Sequence, residues 1–344
     1  MKTISSAFAV LKKQELPFVF FRLPGEKKIQ LYHQKDATLH LTSNLDENGF
    51  VFAPFEKKDQ LPYIPNTHKN SYTFSSTPFN HSPMALESNP KTQADFIDLV
   101  EKVKRILIGE KFQKIVVSRS FNCKSNTSLD TIFNRLLSRY PEAMVYLWNH
   151  PKVGTWFGAT PEKLFSKNGD TFQTMALAAT KTVNKNHQYY WSSKEQKEQA
   201  LVTQQISKDL SPFISKEALK MSTPYDKIAG NLVHLCTDFH AKIAKISLRK
   251  LINALHPTPA VGGIPRQRAI DFIKKQEGYD RQFYTGFLGP FSAVHTTLFV
   301  NLRCAKISNK NISLFVGAGI TLESEADQEW EETQRKAETL LAAL

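Results

Sequence analysis

The apolar positions become periodic after residue 93. Phe96, Leu99, Val100, Val103, Ile106 and Leu107 recur at steps of three and four ahead of Gly109, so the spacing predicts a helix that this glycine closes. KIVVS (114–118) reads as a strand, and Ile132, Phe133, Leu136, Leu137 and Tyr140 mark a second amphipathic helix. Two apolar strands follow, AMVYLW (143–148) and VGTWFGA (153–159). Further helices are predicted over about 193–213, with Leu201, Val202, Ile206 and Leu210 on one face, and over 247–255, 265–276 and 325–343. Strands are predicted over 283–289, 295–306 and 312–318. Residues 40–92 lack such a period. They are rich in Asn, Ser, Pro and Phe, with turn signals at Pro62, Pro65-Asn66 and Pro78, and read as short strands and loops forming a lid or variable region. Strands come in runs separated by helices rather than in strict alternation, which predicts an α+β fold with largely antiparallel sheets.

Composition narrows the class. A chain of 344 residues with 41% hydrophobic and 22% charged residues is a folded protein. Nothing in it resembles a linker, so one large domain (1–344) is expected, with 1–92 as a variable N-terminal part and 93–344 as the core. No stretch approaches the ~18 apolar residues of a membrane span. The opening MKTISSAFAVLKK is too short and too polar for a signal peptide and reads as a first helix or strand. Three widely spaced cysteines, Cys123, Cys236 and Cys304, exclude a disulfide scaffold and a Cys-pair metal site, and a cytoplasmic location is expected.

The formal charge is +13, and residues 101–250 carry +12 of it. No run of five basic residues and no groove-reading motif occurs, so the excess reads as a solvated surface and no nucleic-acid partner is expected.

Candidate chemistry sits in a few places. Gly317-Ala318-Gly319 invites a dinucleotide reading, but Leu322 replaces the third glycine and too little chain follows for a second strand. A Gly-rich turn there would instead offer backbone N–H groups to a carboxylate. Glu329, Glu332 and Lys336 fall on one face of the last helix, and Glu195 and Glu198 stand at i and i+3 on the 193–213 helix. Two such pairs form either solvated charged faces or a clamp for one hard cation, and spacing leaves both open. His234 and His256 read as satisfied structural histidines. Lys114 opens a strand, and Glu162, after Pro161, stands at an expected helix start.

Taken in order, KIVVSR (114–119), FGATPEKLF (157–165), the Glu195/Glu198 helix, GNLVHLCT (230–237), HPTPAVGG (256–263), YDRQFYTGFLG (279–289), LRCAKI (302–307), GAGI (317–320) and EWEETQRKAE (329–338) resemble the chorismate-utilising enzymes. That family includes isochorismate, salicylate and anthranilate synthases and aminodeoxychorismate synthase component I. The resemblance covers roughly 93–344 and implies antiparallel sheets packed face to face with helices outside. It also implies Lys114 as general base and Glu162 as general acid. Glu198 and Glu332 match direct Mg²⁺ ligands, and Glu195 and Glu329 their water-mediated neighbours. Tyr284, Arg303, Gly317, Gly319, Lys336, His234, Ala179 and Thr180 match groups lining or holding the substrate.

The HPTPA turn is similar to isochorismate synthase. The implied reaction is therefore Mg²⁺-dependent conversion of chorismate to isochorismate with no glutaminase subunit; a monomer is the default expectation, and menaquinone synthesis is expected because nothing in the chain suggests a fused siderophore module. Salicylate synthase and a siderophore-pathway isochorismate synthase are the alternatives. The chain departs from the family pattern at Ala179, where glycine is usual, at Glu195, where Asp is usual, and at Gln199, where His is common.

Overall fold

The run FVFF at 18–21 is apolar without alternation because both faces of its strand are covered. Phe18 and Phe20 pack toward outer helices, whereas Val19 and Phe21 join a cluster shared with a second sheet. Met144–His150 divides in the same way, with Val145 and Leu147 outward and Tyr146 and Trp148 inward. A strand buried on both faces carries no period of two, which is why Phe18–Arg22 has no signature of its own in the sequence.

The computed structural model describes residues 3–74, 90–109, 111–184, 186–230, 232–243 and 246–344. Among these, two large antiparallel sheets form one domain. The nine-stranded sheet runs in the order Gly263–Ile264, Lys114–Lys124, Asn311–Ile320, Cys304–Ser308, Gly154–Thr160, Met144–His150, Phe18–Arg22, Lys28–His33, His68–Thr73. The ten-stranded sheet runs Lys220–Met221, Leu232–Lys242, Thr171–Thr182, Lys163–Asn168, His295–Val300, Phe287–Phe291, Gly49–Ala53, Leu61–Pro65, His40–Thr42, with Tyr225–Ala229 also paired to Leu232–Lys242.

The sheets face each other across Phe21, Phe50, Phe52, Tyr146, Trp148, Trp156, Leu288 and Phe299. Helices Ile4–Lys13, Leu129–Arg139 and Ala326–Leu341 cover the outer face of the nine-stranded sheet. Ser193–Leu210 and Leu248–Leu255 cover the ten-stranded one. Pro90–Leu107 and Arg266–Gln276 pack on Ile115, Val117, Ala318 and Ile320. Each fully buried aliphatic or aromatic side chain in these layers contributes about 1.5–3 kcal/mol.

Three sequence expectations change. Segment 40–73 is sheet rather than lid: Gly49–Ala53 is buried throughout and pairs with Phe287–Phe291. Pro78 lies outside the described residues. The predicted strand 295–306 is two strands, His295–Val300 and Cys304–Ser308, in different sheets. Glu162 starts no helix, because it lies between strands Gly154–Thr160 and Lys163–Asn168.

Candidate active site

Two of the places where the chain changes sheets become neighbours. After Thr160 it leaves the nine-stranded sheet for the ten-stranded one through Pro161 and Glu162, and after Val300 it returns through Asn301, Leu302 and Arg303. The crossovers are laced together. Val300 N donates to Glu162 O at 2.9 Å, Ala159 N to Arg303 O at 3.2 Å, and Thr160 Oγ1 to Val300 O at 2.6 Å. Arg303 makes its turn with φ +47°.

Beside them opens a cavity lined by polar and apolar side chains from both sheets and two helices. Twelve of the residues singled out above line it: Lys114, Glu162, Ala179, Thr180, Glu198, His234, Tyr284, Arg303, Gly317, Gly319, Glu332 and Lys336. Glu195 and Glu329 are not in its wall.

Lys114 reaches the cavity because strand alternation sends Ile115 and Val117 to the helix side and Lys114 and Val116 the other way. Its ammonium, almost fully buried, lies 2.8 Å from Glu198 Oε1. Gly319 leaves the room for this pair: a Cβ there would stand 2.7 Å from Lys114 Cε and 2.9 Å from Glu198 Oε1. Gly317 and Gly319 are strand residues, paired with Ser118 and Val116, rather than a turn. On the last helix Lys336 Nζ donates to Gly317 O at 2.9 Å and to Glu332 Oε1 at 2.7 Å. Outside the wall, Lys194 pairs with Glu329 at 2.9 Å and Lys181 with Glu195 at 3.1 Å. Glu195 also closes a capping box, accepting from Ser192 N at 2.7 Å.

Burial raises the Glu162 carboxyl to about 7, against weaker lowering by the Thr258 hydroxyl, which donates to it at 3.3 Å, and by Lys114. A carboxyl so placed holds or releases a proton near neutrality. Desolvation also brings Arg303 down to about 10. Among the described residues no carboxylate lies in ion-pair range of this guanidinium. It donates instead to His234 Nε2 at 2.7 Å, and Nη1 lies 3.5 Å from Ala229 O. His234 must then accept at Nε2 and carry its proton on Nδ1, which donates to Ala179 O at 3.0 Å; this tautomer is inferred from the hydrogen bonds. Burial first, then Arg303, keep His234 well below the usual imidazole range, so it stays neutral. The arrangement is a carboxyl that exchanges its proton near neutrality, a buried lysine, a guanidinium with no carboxylate in ion-pair range among the described residues, and two helix-borne carboxylates around one cavity.

The family model for chorismate binding enzyme matches residues 29–344. The chain belongs to this family. Isochorismate synthase MenF of Haemophilus influenzae is 29% identical over 315 residues, which span 86% of this chain and 72% of that protein. Isochorismate synthase EntC of Escherichia coli K12 is 30% identical over 261 residues, spanning 72% of this chain and 66% of EntC. The crystal structure of DhbC from Bacillus anthracis superposes with a TM-score of 0.81 at 23% identity, covering 99% of both chains. That of MenF from Escherichia coli gives 0.80 at 19% identity, covering 95% of this chain and 88% of that one. At these identities the structural likeness is one of fold.

In this chorismate-binding enzyme some site residues had no signal of their own in the sequence. Thr258 sits inside the HPTPAVGG motif, yet only the fold shows its hydroxyl on Glu162. Lys194 adjoins Glu195 in sequence but pairs across to the other helix. Gln199, at the position where the family commonly has His, bridges Thr203 at 2.9 Å and Thr237 at 2.7 Å and so ties its helix to strand Leu232–Lys242. His256 bonds Phe55 O at 3.2 Å and packs on Phe287, while its buried Nδ1 finds no hydrogen-bond partner among the described residues, so it is not the fully satisfied histidine expected.

Ala179 occupies a bulge, where register shifts between Ala178 and Lys181, and takes φ +60°. Left-handed backbone costs a side-chain-bearing residue about 1–2 kcal/mol. Ala179→Gly relieves this strain but adds roughly 0.4–1 kcal/mol of unfolded-chain entropy. The expected result is a gain of roughly 0.5–1 kcal/mol, read as a higher urea midpoint at unchanged slope. A lower midpoint would show that the methyl's packing outweighs the strain.

Proposed function

We propose that the chain is an isochorismate synthase, which adds water at C2 of chorismate and removes the C4 hydroxyl. The observation that carries this reading is the presence in one cavity of a buried lysine and a carboxyl brought by burial to about 7. Lys114, once neutral, accepts a proton from the attacking water as oxygen bonds to C2. The ring double bonds shift, and the C4–O bond breaks as Glu162 gives its proton to the departing hydroxyl, which leaves as water. The product is an isomer of the substrate, and the turnover leaves Lys114 protonated and Glu162 ionised. Each of these proton transfers is worth typically ~10²–10⁴-fold.

Arg303, with no carboxylate in ion-pair range among the described residues, can take a substrate carboxylate through two parallel hydrogen bonds. Lys336 adds a point charge, His234 holds the guanidinium in place, and Tyr284, Thr180 and the close backbone at Gly317 shape the pocket.

The donor set suits Mg²⁺. Among the described residues no three carboxylate, His or Cys groups converge as a ready cage, since each glutamate leans on a lysine. Mg²⁺ commonly needs only one or two protein carboxylates, with waters and substrate oxygens completing its shell. Glu198 and Glu332, both on the cavity wall, would hold it, and Glu195 and Glu329, outside the wall on the same two helices, would add negative charge in support. When bound, the ion supplies positive charge for the ring carboxylate and so orients the ring.

The test is purified protein with chorismate and Mg²⁺, the products being resolved by chromatography. Isochorismate is expected, with turnover lost in EDTA and restored by excess Mg²⁺. Salicylate plus pyruvate would move the enzyme to a lyase reaction, and no turnover with Mg²⁺ would refute the reading. We assign the product to menaquinone synthesis, since the MenF relative spans more of this chain than the EntC relative does. Restoration of menaquinone in a cell lacking its own isochorismate synthase tests that assignment.

A further inference from the structure

Among the described residues, each of the four glutamates assigned to the metal holds one lysine ammonium: Lys114 on Glu198, Lys336 on Glu332, Lys194 on Glu329 and Lys181 on Glu195. Lys114 and Lys336 line the cavity, whereas Lys194 does not. Lys194 is the second residue of helix Ser193–Leu210. There the helix dipole disfavours a cation by about 0.3–1 kcal/mol, so local structure gives no reason for a lysine. The side chain reaches instead to helix Ala326–Leu341 and sets Nζ 2.9 Å from Glu329 Oε1, on a carboxylate only 5% exposed. The same ammonium is attracted by Glu198 and Glu332 as well. Glu329 and Glu332 repel one another. Lys194 is thus one tethered charge facing three of the four carboxylates.

From this placement we propose that Lys194 is a built-in counter-cation, which holds the carboxylate cluster together without metal and competes with a divalent cation for it, thereby setting metal affinity. The inference rests on the metal assignment above and concerns the strength of that site. An entering divalent ion meets Lys194 as a like charge. The pair is largely buried, so salt screens the repulsion little. Removing the ammonium leaves the buried Glu329 facing Glu332 without a paired cation of its own, Lys336 remaining on Glu332, and this raises the cluster's demand for positive charge. Lys194 touches neither the cavity nor the reacting atoms and is a positioning residue.

The experiment is titration calorimetry of Mg²⁺ into the full-length protein without chorismate, for the wild type, K194M, K194Q, K194R and E332Q. K194M and K194Q are expected to bind Mg²⁺ on the order of ten-fold more tightly than the wild type, and K194R within about two-fold of it. In thermal melts the metal-free K194M is expected to unfold earlier than the wild type and to recover more on adding Mg²⁺. K194Q, which keeps a polar end, serves if K194M does not fold. Equal or weaker Mg²⁺ binding by the charge-removing variants overturns the proposal and leaves the metal assignment standing. Unchanged Mg²⁺ binding in E332Q overturns the metal assignment and the proposal with it.

Discussion

Glu162→Gln is expected to remove turnover and stabilise the protein at once. As the proposed general acid, Glu162 would supply the leaving hydroxyl with its proton, which an amide cannot do, so kcat is expected to fall by about 10²–10⁴. The stability change has the opposite sign. Burial raises the folded carboxyl from 4.5 to about 7. A carboxyl held neutral by burial stabilises the fold fully below about 4.5, and that contribution is lost as pH rises through about 7. At pH 8 the loss amounts to about 3 kcal/mol. Glutamine stays neutral throughout and still accepts from Thr258. Urea denaturation is therefore expected to show E162Q more stable than the wild type at pH 8, with the difference closing toward pH 5. The wild-type kcat is expected to decline above pH 7 as Glu162 ionises, a limb absent from any residual activity of E162Q. Equal stability at both pH values would show that the carboxyl is not held neutral, and full turnover in E162Q would remove it as the acid.

Lys114→Ala is expected to lose turnover by a similar ~10²–10⁴-fold while chorismate still binds, because in the proposed mechanism the lost interaction would belong to the proton transfer rather than to ground-state binding. The lysine is almost fully buried and paired with Glu198 at 2.8 Å. Truncation therefore also leaves a cavity and a carboxylate without its partner, and the metal-free variant is expected to lose about 3–5 kcal/mol. Lys114→Met keeps most of the stem volume and separates the packing loss from the chemical one. Chorismate binding measured by calorimetry, beside single-turnover rates, distinguishes the outcomes. Full turnover in either variant would mean that another group takes the proton.

The periodic segments are legible in the residue pattern alone. Phe96 through Leu107 form helix Pro90–Leu107, and Ile132 through Leu137 form Leu129–Arg139, because one covered face imposes a period of 3.6. Strands buried on both faces are harder. Phe18–Arg22 and Gly49–Ala53 are buried throughout, and an unbroken apolar run does not say which residues face the helices and which the opposite sheet. The 295–306 strand fails for another reason. Val300, Leu302 and Cys304 alternate with Asn301 and Arg303, so a strand-like period of two continues across the point where the chain changes sheets.

Sequence by itself determined the α+β class, the antiparallel bias and, through the ordered family motifs, the lysine, glutamates, arginine and glycines that gather at one cavity. The fold class and strand bias are properties of residue type and short-range spacing, whereas the site residues came only through the resemblance of the ordered motifs to the family, and of those glutamates Glu195 and Glu329 stay outside the cavity wall. Tertiary structure alone decided which groups meet. Glu162 and Arg303 are neighbours because two sheet crossovers are bonded together, and the carboxyl reaches about 7 because packing, not its own sequence context, removes water from it. The ion pairs were equally out of reach: 84 residues separate Lys114 from Glu198, and 135 separate Lys194 from Glu329. Charge along a chain records how many partners are available, and only the packing of distant elements selects which carboxylate each ammonium meets and how little water remains between them.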